Sequence, residues 1–296
     1  MRQLLLLLLT VATVSSGSAR AETGLVAKPV ADTKAVTLDP ARSYIIVQTP
    51  GPIPMVFIRQ SERADVDDYL QRRKAALVKA HARWVRRHTA WVDYVNLYKK
   101  YKKEPVEGLR YAPPENEPIE PTEANLTFRP IELENIISIG PINRFAKSDL
   151  RSTYITEVTP GTYSFYGSIL IVPNQTSGVC MCMGTVKFEV KAGQIVHIGT
   201  IRPSLADAQA KAKAEGKPVP KDDFDLPDEL STIVWNVPVA GDSIDPRLAG
   251  YKIDPAKLIP GGRFANYYGL TIDRVSAIPG VFSYDRGKQL DLTTTP

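Results

Sequence analysis

The sequence predicts an α+β protein, in which an antiparallel β-sandwich carries one long helical insertion and ends in an irregular C-terminal tail. Over residues 153–202, short runs rich in β-branched and aromatic residues alternate with turns that contain proline or glycine. Residues 55–104 hold no proline and residues 52–107 hold no glycine, which favours one uninterrupted helix. After residue 241 the chain is rich in proline, glycine and tyrosine, which is typical of a segment that wraps over a finished domain.

The first 21 residues have the pattern of a secretory signal peptide. Arg2 carries the positive charge, residues 4–14 supply the apolar stretch, and Ala19-Arg20-Ala21 matches a small-x-small cleavage site. A retained N-terminal helix is the alternative. No other apolar run approaches the roughly 20 residues that a membrane-spanning helix needs. We therefore expect a mature protein that begins near Glu22 and is extracytoplasmic, either periplasmic or secreted.

The composition argues against several classes of function. The formal charge of +5 falls by two when Arg2 and Arg20 leave with the signal peptide, and the remainder is too small to indicate nucleic-acid binding. Two cysteines in 296 residues do not make a disulfide scaffold, so a hydrophobic core must hold the fold. Three histidines leave few ways to build a catalytic triad or a zinc site, and the usual catalytic motifs are missing. We predict no catalytic residues and favour a protein that is not an enzyme.

The β portion is predicted over residues 22–60 and 125–202. Tyr44–Val47 and Met55–Ile58 are short apolar runs that we expect to pair with an antiparallel meander of four strands in residues 153–202. In the second strand of this meander, apolar residues alternate on both faces. We therefore place that strand in the middle of a two-layer structure. One face holds Tyr163, Phe165, Ile169 and Ile171, and the other holds Tyr166, Leu170 and Val172.

Ser61–Lys103 is predicted to form one helix. Ser61 is the expected cap, and acidic first turns with lysine-rich last turns both favour the helix dipole. At about 60 Å the helix is longer than a β-sandwich domain is wide. Large apolar residues recur every seven positions, a spacing suited to helix-on-helix packing; they are Leu70, Leu77, Trp84, Trp91 and Tyr98. We predict a homodimer or a partner helix that docks through residues 61–103.

The same helix carries two further features. His81 and His88 lie about 10 Å apart along it, too far for one metal ion, so we expect a role in packing. Residues 62–104 hold twelve Lys or Arg and six Asp or Glu. A solvated helix face is the interpretation we favour for this charge. A basic surface for an anionic lipid, a polysaccharide or an acidic partner, such as an anionic envelope surface, is the alternative.

The rest of the chain is predicted from weaker signals. Tyr111–Pro121 has four prolines and is expected to be an extended return path, which completes an insertion over residues 61–124. Asn125–Pro130 and Ile131–Ile139 are predicted strands. Residues 203–296 are predicted to hold a short helix at Ala208–Glu215 and the wrapping tail.

The run VCMCMG at residues 179–184 is the one candidate for chemistry. Thiolate and thioether ligands suit Cu(I), which makes Cys180, Cys182 and Met183 candidate metal ligands. In a regular strand both cysteines would share one face and both methionines the other, so the four sulfurs would not converge. The cysteine Cα atoms would then lie about 6.5 Å apart, near the upper limit for a disulfide. We favour a Cys180–Cys182 disulfide or inert thiols, with copper binding and thiol redox chemistry as alternatives.

Several short motifs resemble those of exported bacterial β-sandwich domains of unknown function. They are the Tyr44–Val47 run, the Pro160-Gly161-Thr162-Tyr163 turn, and Phe188–Gly193 followed by Ile198-Gly199. The resemblance implies a sandwich for the β portion and carries over no functional residue. Our expectation is an exported periplasmic or cell-envelope binding or structural module without a cofactor. A periplasmic copper-binding or thiol-redox protein is the alternative.

Overall fold

A computed structural model describes residues 25–148, 151–203, 209, 212–213, 216–219, 233–239 and 244–294. The predicted α+β class is confirmed at the level of two large mixed β-sheets and one long helix. The predicted signal peptide and most of the predicted short helix at Ala208–Glu215 lie outside the described residues. In the part of the chain that is described, no helix has the length and apolar character needed to cross a membrane.

The first sheet combines strands from the early and the late parts of the predicted β portion. Its order is β1 (Ala27–Pro29), β6 (Ser152–Val158), β2 (Ser43–Thr49), β10 (Ile195–Pro203) and β11 (Ile233–Asn236). Strand β5 (Ala146–Lys147) pairs with β6, and β12 (Ile253–Pro255) pairs with β10. The sheet is mixed, because β2 runs antiparallel to β6 and parallel to β10.

The second sheet is built around the longest of the described strands. Its order is β13 (Ile259–Gly262), β9 (Thr185–Val190), β7 (Gly161–Val172), β3 (Met55–Arg59) and β4 (Ile136–Ile139). Strand β8 (Gln175–Cys180) pairs with β7, and β14 (Thr271–Ile272) pairs with β8. Strands β15 (Phe282–Asp285) and β16 (Lys288–Asp291) form a separate hairpin. The helices are α1 (Arg63–Lys103), α2 (Ile131–Glu134) and a 3-10 turn at Pro246–Leu248.

The prediction of one four-stranded meander in residues 153–202 is wrong, because consecutive strands change sheets. Strands β6 and β10 belong to the first sheet, whereas β7, β8 and β9 belong to the second. The segment also holds five strands, because a turn at residues 181–184 separates β8 from β9. Local composition identified where strands occur and did not identify which strands pair.

Strand β7 is covered on both faces from Tyr163 to Ile169, as predicted, whereas Leu170, Ile171 and Val172 at its end are exposed. Its faces also exchange halfway along. Tyr163 and Phe165 belong to the main core. Ile169, which strict alternation places beside them, packs instead with Tyr166 in a second cluster. The pairing of β7 with β3 shifts by one residue at this point, and one extra residue in a strand reverses the faces that follow it.

Side chains of both sheets meet in the main hydrophobic core. Ile45 and Val47 of the first sheet share it with Phe57 and Phe165 of the second. Trp235 of β11 packs edge-on against Phe165, with ring centroids 5.4 Å apart. The C-terminal tail is less irregular than predicted, since it adds strands to both sheets. It also contributes core residues, including Val275, Ile278 and Phe282.

The predicted strands before β4 are wrong over residues 125–134. Asn125–Pro130 forms no strand, and Ile131–Glu134 is a short helix. The carbonyl of Pro130 accepts the backbone N–H of Leu133, and the Asn135 side-chain amide donates to the carbonyl of Ile131. Proline favours the start of a helix because it lacks the N–H that would be unsatisfied there. The predicted strand is correct only for Ile136–Ile139.

The shift in β7 predicts a large effect of substitution at Gly167. A Cβ added there would lie 2.1 Å from the backbone oxygen of Val179, and backbone cannot move aside as a flexible side chain can. We expect Gly167→Ala to lower the free energy of unfolding by about 2–4 kcal/mol. Gly250 has open space around its added Cβ, so Gly250→Ala should change stability by about 0.5 kcal/mol or less. Equal urea midpoints for the two variants would contradict this account of the strand.

Candidate interaction surface on the helical arm

Helix α1 and the chain that returns along it form an arm, defined as residues 63–130. The helix has 41 residues, none of them buried, and is about 60 Å long. It begins two residues later than predicted, at Arg63, because Glu62 rather than Ser61 occupies the cap position. The backbone N–H of Glu62 donates to the Asp65 carboxylate over 2.8 Å. We call residues 104–130 the return segment.

Hydrogen bonds connect the helix to the return segment along nearly its full length. Six helix side chains donate to backbone carbonyls of that segment over 2.7–3.1 Å. The return segment belongs to no sheet, so these bonds satisfy carbonyls that would otherwise depend on water. The pairs are Tyr69–Arg129, Arg73–Glu123, Trp84–Pro118, Trp91–Glu115, Tyr94–Ala112 and Tyr101–Leu109.

The helix and the return segment match in the distance that they cover along the arm. From Arg73 to Tyr101 the helix rises about 42 Å, and the return segment covers this distance between Leu109 and Glu123. It therefore advances about 3 Å per residue, which is the rise of a polyproline II helix. Seven helix residues, or about 10.5 Å, correspond to about three return residues. The seven-residue recurrence in the sequence thus matches the three-residue turn of an extended, proline-rich partner.

The return segment covers more of the apolar stripe than the predicted return path, Tyr111–Pro121, would cover. Its contacts with the helix extend from Leu109 to Arg129. Of the five predicted interface residues, Leu77, Trp84, Trp91 and Tyr98 are partly buried within the chain, and Leu70 is exposed. These contacts within one chain do not test the predicted homodimer or partner helix, which stays a prediction.

The two histidines of the helix face the return segment. The rings of His81, Trp84, His88 and Trp91 follow one another, with centroids 5.3, 4.9 and 6.0 Å apart. His81 Nε2 lies 3.2 Å from a Glu120 carboxylate oxygen, and His88 Nε2 lies 3.0 Å from one of Glu117. The histidines therefore have the packing role that their position in the stripe predicted.

The return segment neutralises part of the basic charge of the helix. Residues 105–124 hold five glutamates and one arginine. Arg73 pairs with Glu123 over 2.5 Å, and nearer the body Arg72 pairs with Glu134 over 2.6 Å. The interpretation as a merely solvated face is thus too simple, because several of these charges are matched by defined carboxylates.

Three arginines of the same helix are left without such a match. Arg83, Arg86 and Arg87 line a cleft of about 410 Å³ together with Ala80, Pro121 and Ile119. Within the described ranges, none of the three arginines forms an ion pair with a carboxylate. Ile119 projects beside them with 83% of its surface exposed. Sequence reasoning missed this cleft, although residues 69–92 contain no acidic residue, a signal that was available.

A buried guanidinium attaches the arm to the β body. Arg59, the last residue of β3, is only 6% exposed. Its guanidinium donates to the Asp65 carboxylate over 2.6 Å and to the Asn135 side-chain oxygen over 3.5 Å. The first turn of α1 and the end of α2 are therefore both held against the second sheet. Arg59 and Arg72 also line a cavity of about 440 Å³ at this junction.

The cysteine–methionine cluster does not form a convergent set of ligands. Cys180 and Cys182 are both buried, their sulfur atoms are in contact, and their Cα atoms lie 5.1 Å apart. A turn brings the Cα atoms closer than a regular strand would, as shown by the N–H of Gly184, which donates to the carbonyl of Met181. Met181 lies in the main core, the cysteines lie in the cluster around Tyr166, and Met183 is exposed. Among the described residues, no group of three or more His, Cys, Asp or Glu side chains is placed to hold a metal ion.

Comparisons of the chain with protein-family models, curated proteins and solved structures found no match. The resemblance of its turns to exported sandwich domains therefore stays an expectation. Two features of the structure are candidates for function. One is the arm at the surface, and the other is the pair of cysteines in the cluster around Tyr166.

The pairing of helix and return segment predicts that the two tryptophans hold the arm together. Replacing Trp84 and Trp91 by alanine removes two hydrogen bonds to carbonyls of the return segment. It also removes the apolar contact between the helix and that segment. We expect each substitution to cost about 2 kcal/mol of arm stability. The helical circular dichroism signal should fall at temperatures where the β body stays folded. Val78→Ala is the control, because Val78 is 65% exposed, and it should leave that signal unchanged. An intact helical signal in the double variant would contradict the proposed pairing.

Proposed function

We propose that this protein is an exported binding or structural module, rather than an enzyme, whose β body presents the arm as a contact surface. The observation that carries the proposal is the helix of 41 residues with none buried. Ordering the arm costs about 1–2 kcal/mol per residue in backbone entropy. The main core receives no side chain from the arm in return. A contact made by the outer surface of the arm therefore explains best why the chain orders a segment that adds nothing to the main core.

The same proposal places the protein outside the cytoplasm and gives its body a sandwich architecture. The signal-peptide pattern of residues 1–21 supports export. Contact between the sulfurs of Cys180 and Cys182 supports a disulfide, which persists in oxidising compartments. The sharing of one core by strands of both sheets, such as β2 and β7, supports face-to-face packing of the sheets.

The predicted homodimer or partner helix is part of this proposal, with a different set of contact residues. Trp84 and Trp91 are engaged by the return segment. The apolar side chains that remain exposed on the helix include Leu70, Val78 and Val85. Val78 and Val85 are seven residues apart and therefore share one face, which is suited to a second helix.

We expect Val78→Glu combined with Val85→Glu to dissociate an arm-mediated assembly and to reduce retention of the full-length protein on native envelope material. The reduction should exceed about tenfold, because a carboxylate placed in an apolar contact loses its hydration. Ile142→Glu is the control, because Ile142 is an apolar residue of the β body that is more exposed than Val78 or Val85. Light scattering and sedimentation with envelope fractions provide the two measurements. A monomer at tens of micromolar that shows no arm-dependent retention would contradict the proposal.

The alternative, a copper-binding or thiol-redox protein, rests on the proximity of Cys180 and Cys182. Burial of both cysteines argues against it, because redox-active thiols and exchanging metal sites need access. We expect replacement of both cysteines by serine to preserve the fold. Stability should fall by about 1–3 kcal/mol, since so small a ring constrains the unfolded chain little. Stoichiometric copper binding with sub-micromolar affinity that disappears in the double variant would establish the alternative.

A further inference from the structure

The arginines of helix α1 divide into two groups by their partners. Those near the β body are paired: Arg63 with Asp67, Arg72 with Glu134 and Arg73 with Glu123. In the middle of the arm, Arg83, Arg86 and Arg87 have no carboxylate partner among the described residues, although they share a cleft with the glutamate-rich return segment. The return segment presents Ile119 and Pro121 to this cleft. The cleft is thus cationic on the helix side and apolar on the other.

The spacing of the three arginines suits an oxyanion. Positions i, i+3 and i+4 lie on neighbouring parts of one helix surface, so three guanidiniums border the same space. Each guanidinium is a planar fork that binds phosphate through two parallel hydrogen bonds. A cleft of about 410 Å³ is large enough for a head group carrying such a phosphate.

The exposed isoleucine distinguishes between two sources of phosphate. A soluble polyanion would satisfy the arginines and leave Ile119 in water, where 83% of its surface now lies. A phospholipid surface offers the anionic group and, a few ångströms deeper, an apolar boundary into which such a side chain inserts favourably. The combination of unmatched arginines and a projecting apolar residue therefore fits a lipid better than a free polymer.

We propose that the cleft formed by Arg83, Arg86, Arg87 and Ile119 binds the phosphate head group of an anionic phospholipid. Ile119 enters the boundary between head groups and acyl chains. The inference rests on the proposed function, because it names what the arm contacts. It leaves the apolar helix face available, since Val78 and Val85 lie about 80–160° around the helix from Arg83 and Arg86.

The test uses the full-length protein and vesicles of phosphatidylcholine with or without phosphatidylglycerol. We expect sedimentation with the vesicles that contain phosphatidylglycerol only, and a decrease as salt screens the charges. Replacing Arg83, Arg86 and Arg87 together by glutamine should weaken binding about 100-fold, since each basic residue near an anionic surface contributes about fivefold. Ile119→Ser should weaken binding about tenfold through lost apolar transfer.

A variant with the same change in net charge controls for general electrostatic attraction. Lys99, Lys100 and Lys103 at the far end of the helix are replaced by glutamine, which should weaken binding less than about threefold. Helical circular dichroism verifies that both triple variants keep the arm folded. An equal loss in the lysine variant would overturn the cleft as the site. Vesicle binding with unchanged affinity in Ile119→Ser would overturn insertion of this side chain, and heparin binding without any binding to the vesicles would overturn the lipid in favour of a soluble polyanion.

The outcome also separates this inference from the proposed function. Absence of vesicle binding, together with retention on envelope material that depends on Val78 and Val85, would overturn the lipid site and leave the arm as a contact surface. Absence of both would overturn the two together. Vesicle binding that requires the three arginines and Ile119 would support both.

Discussion

The arm depends on hydrogen bonds from side chains of the helix to backbone carbonyls of the return segment, which forms no helix or strand. Trp84 and Trp91 donate to Pro118 and Glu115. Helical stability in proteins comes mostly from packing of one face, and here the return segment provides that packing. The same contacts hold Ile119 beside the arginine cleft. Loss of the pairing would therefore remove the helix support and the proposed site together.

At the other end of the arm, Arg59 connects this construction to the β body. A buried guanidinium costs free energy unless its charge is paired, and among the described residues both terminal nitrogens of Arg59 have partners whereas Nε has none. Asp65 and Asn135 supply those partners from opposite ends of the inserted segment. The arm thus leaves the second sheet through a junction that is specified by polar contacts, which require defined geometry more strictly than apolar contacts do.

The contrast between the arm and the cysteine cluster explains why a contact surface is proposed rather than a reactive site. Cys180 and Cys182 are buried in the same cluster as Tyr166, and their sulfurs are in contact with each other. The arginines of the arm are held at the surface beside a projecting apolar side chain. Charged groups that are exposed and have no carboxylate partner are available to a ligand, whereas buried sulfurs in contact with each other are not.

Sequence alone determined the elements whose signal is local. The long helix followed from an uninterrupted stretch with charged ends, and β2 and β3 followed from apolar runs between prolines and glycines. The closeness of Cys180 and Cys182 followed from their spacing. Only the tertiary structure decided that β6 and β7 enter different sheets, that the tail adds strands to both, and that the return segment covers Trp84 and Trp91. Strand pairing and side-chain cover join residues far apart in the chain, and an extended proline-rich segment has no internal hydrogen bonds that would reveal its partner.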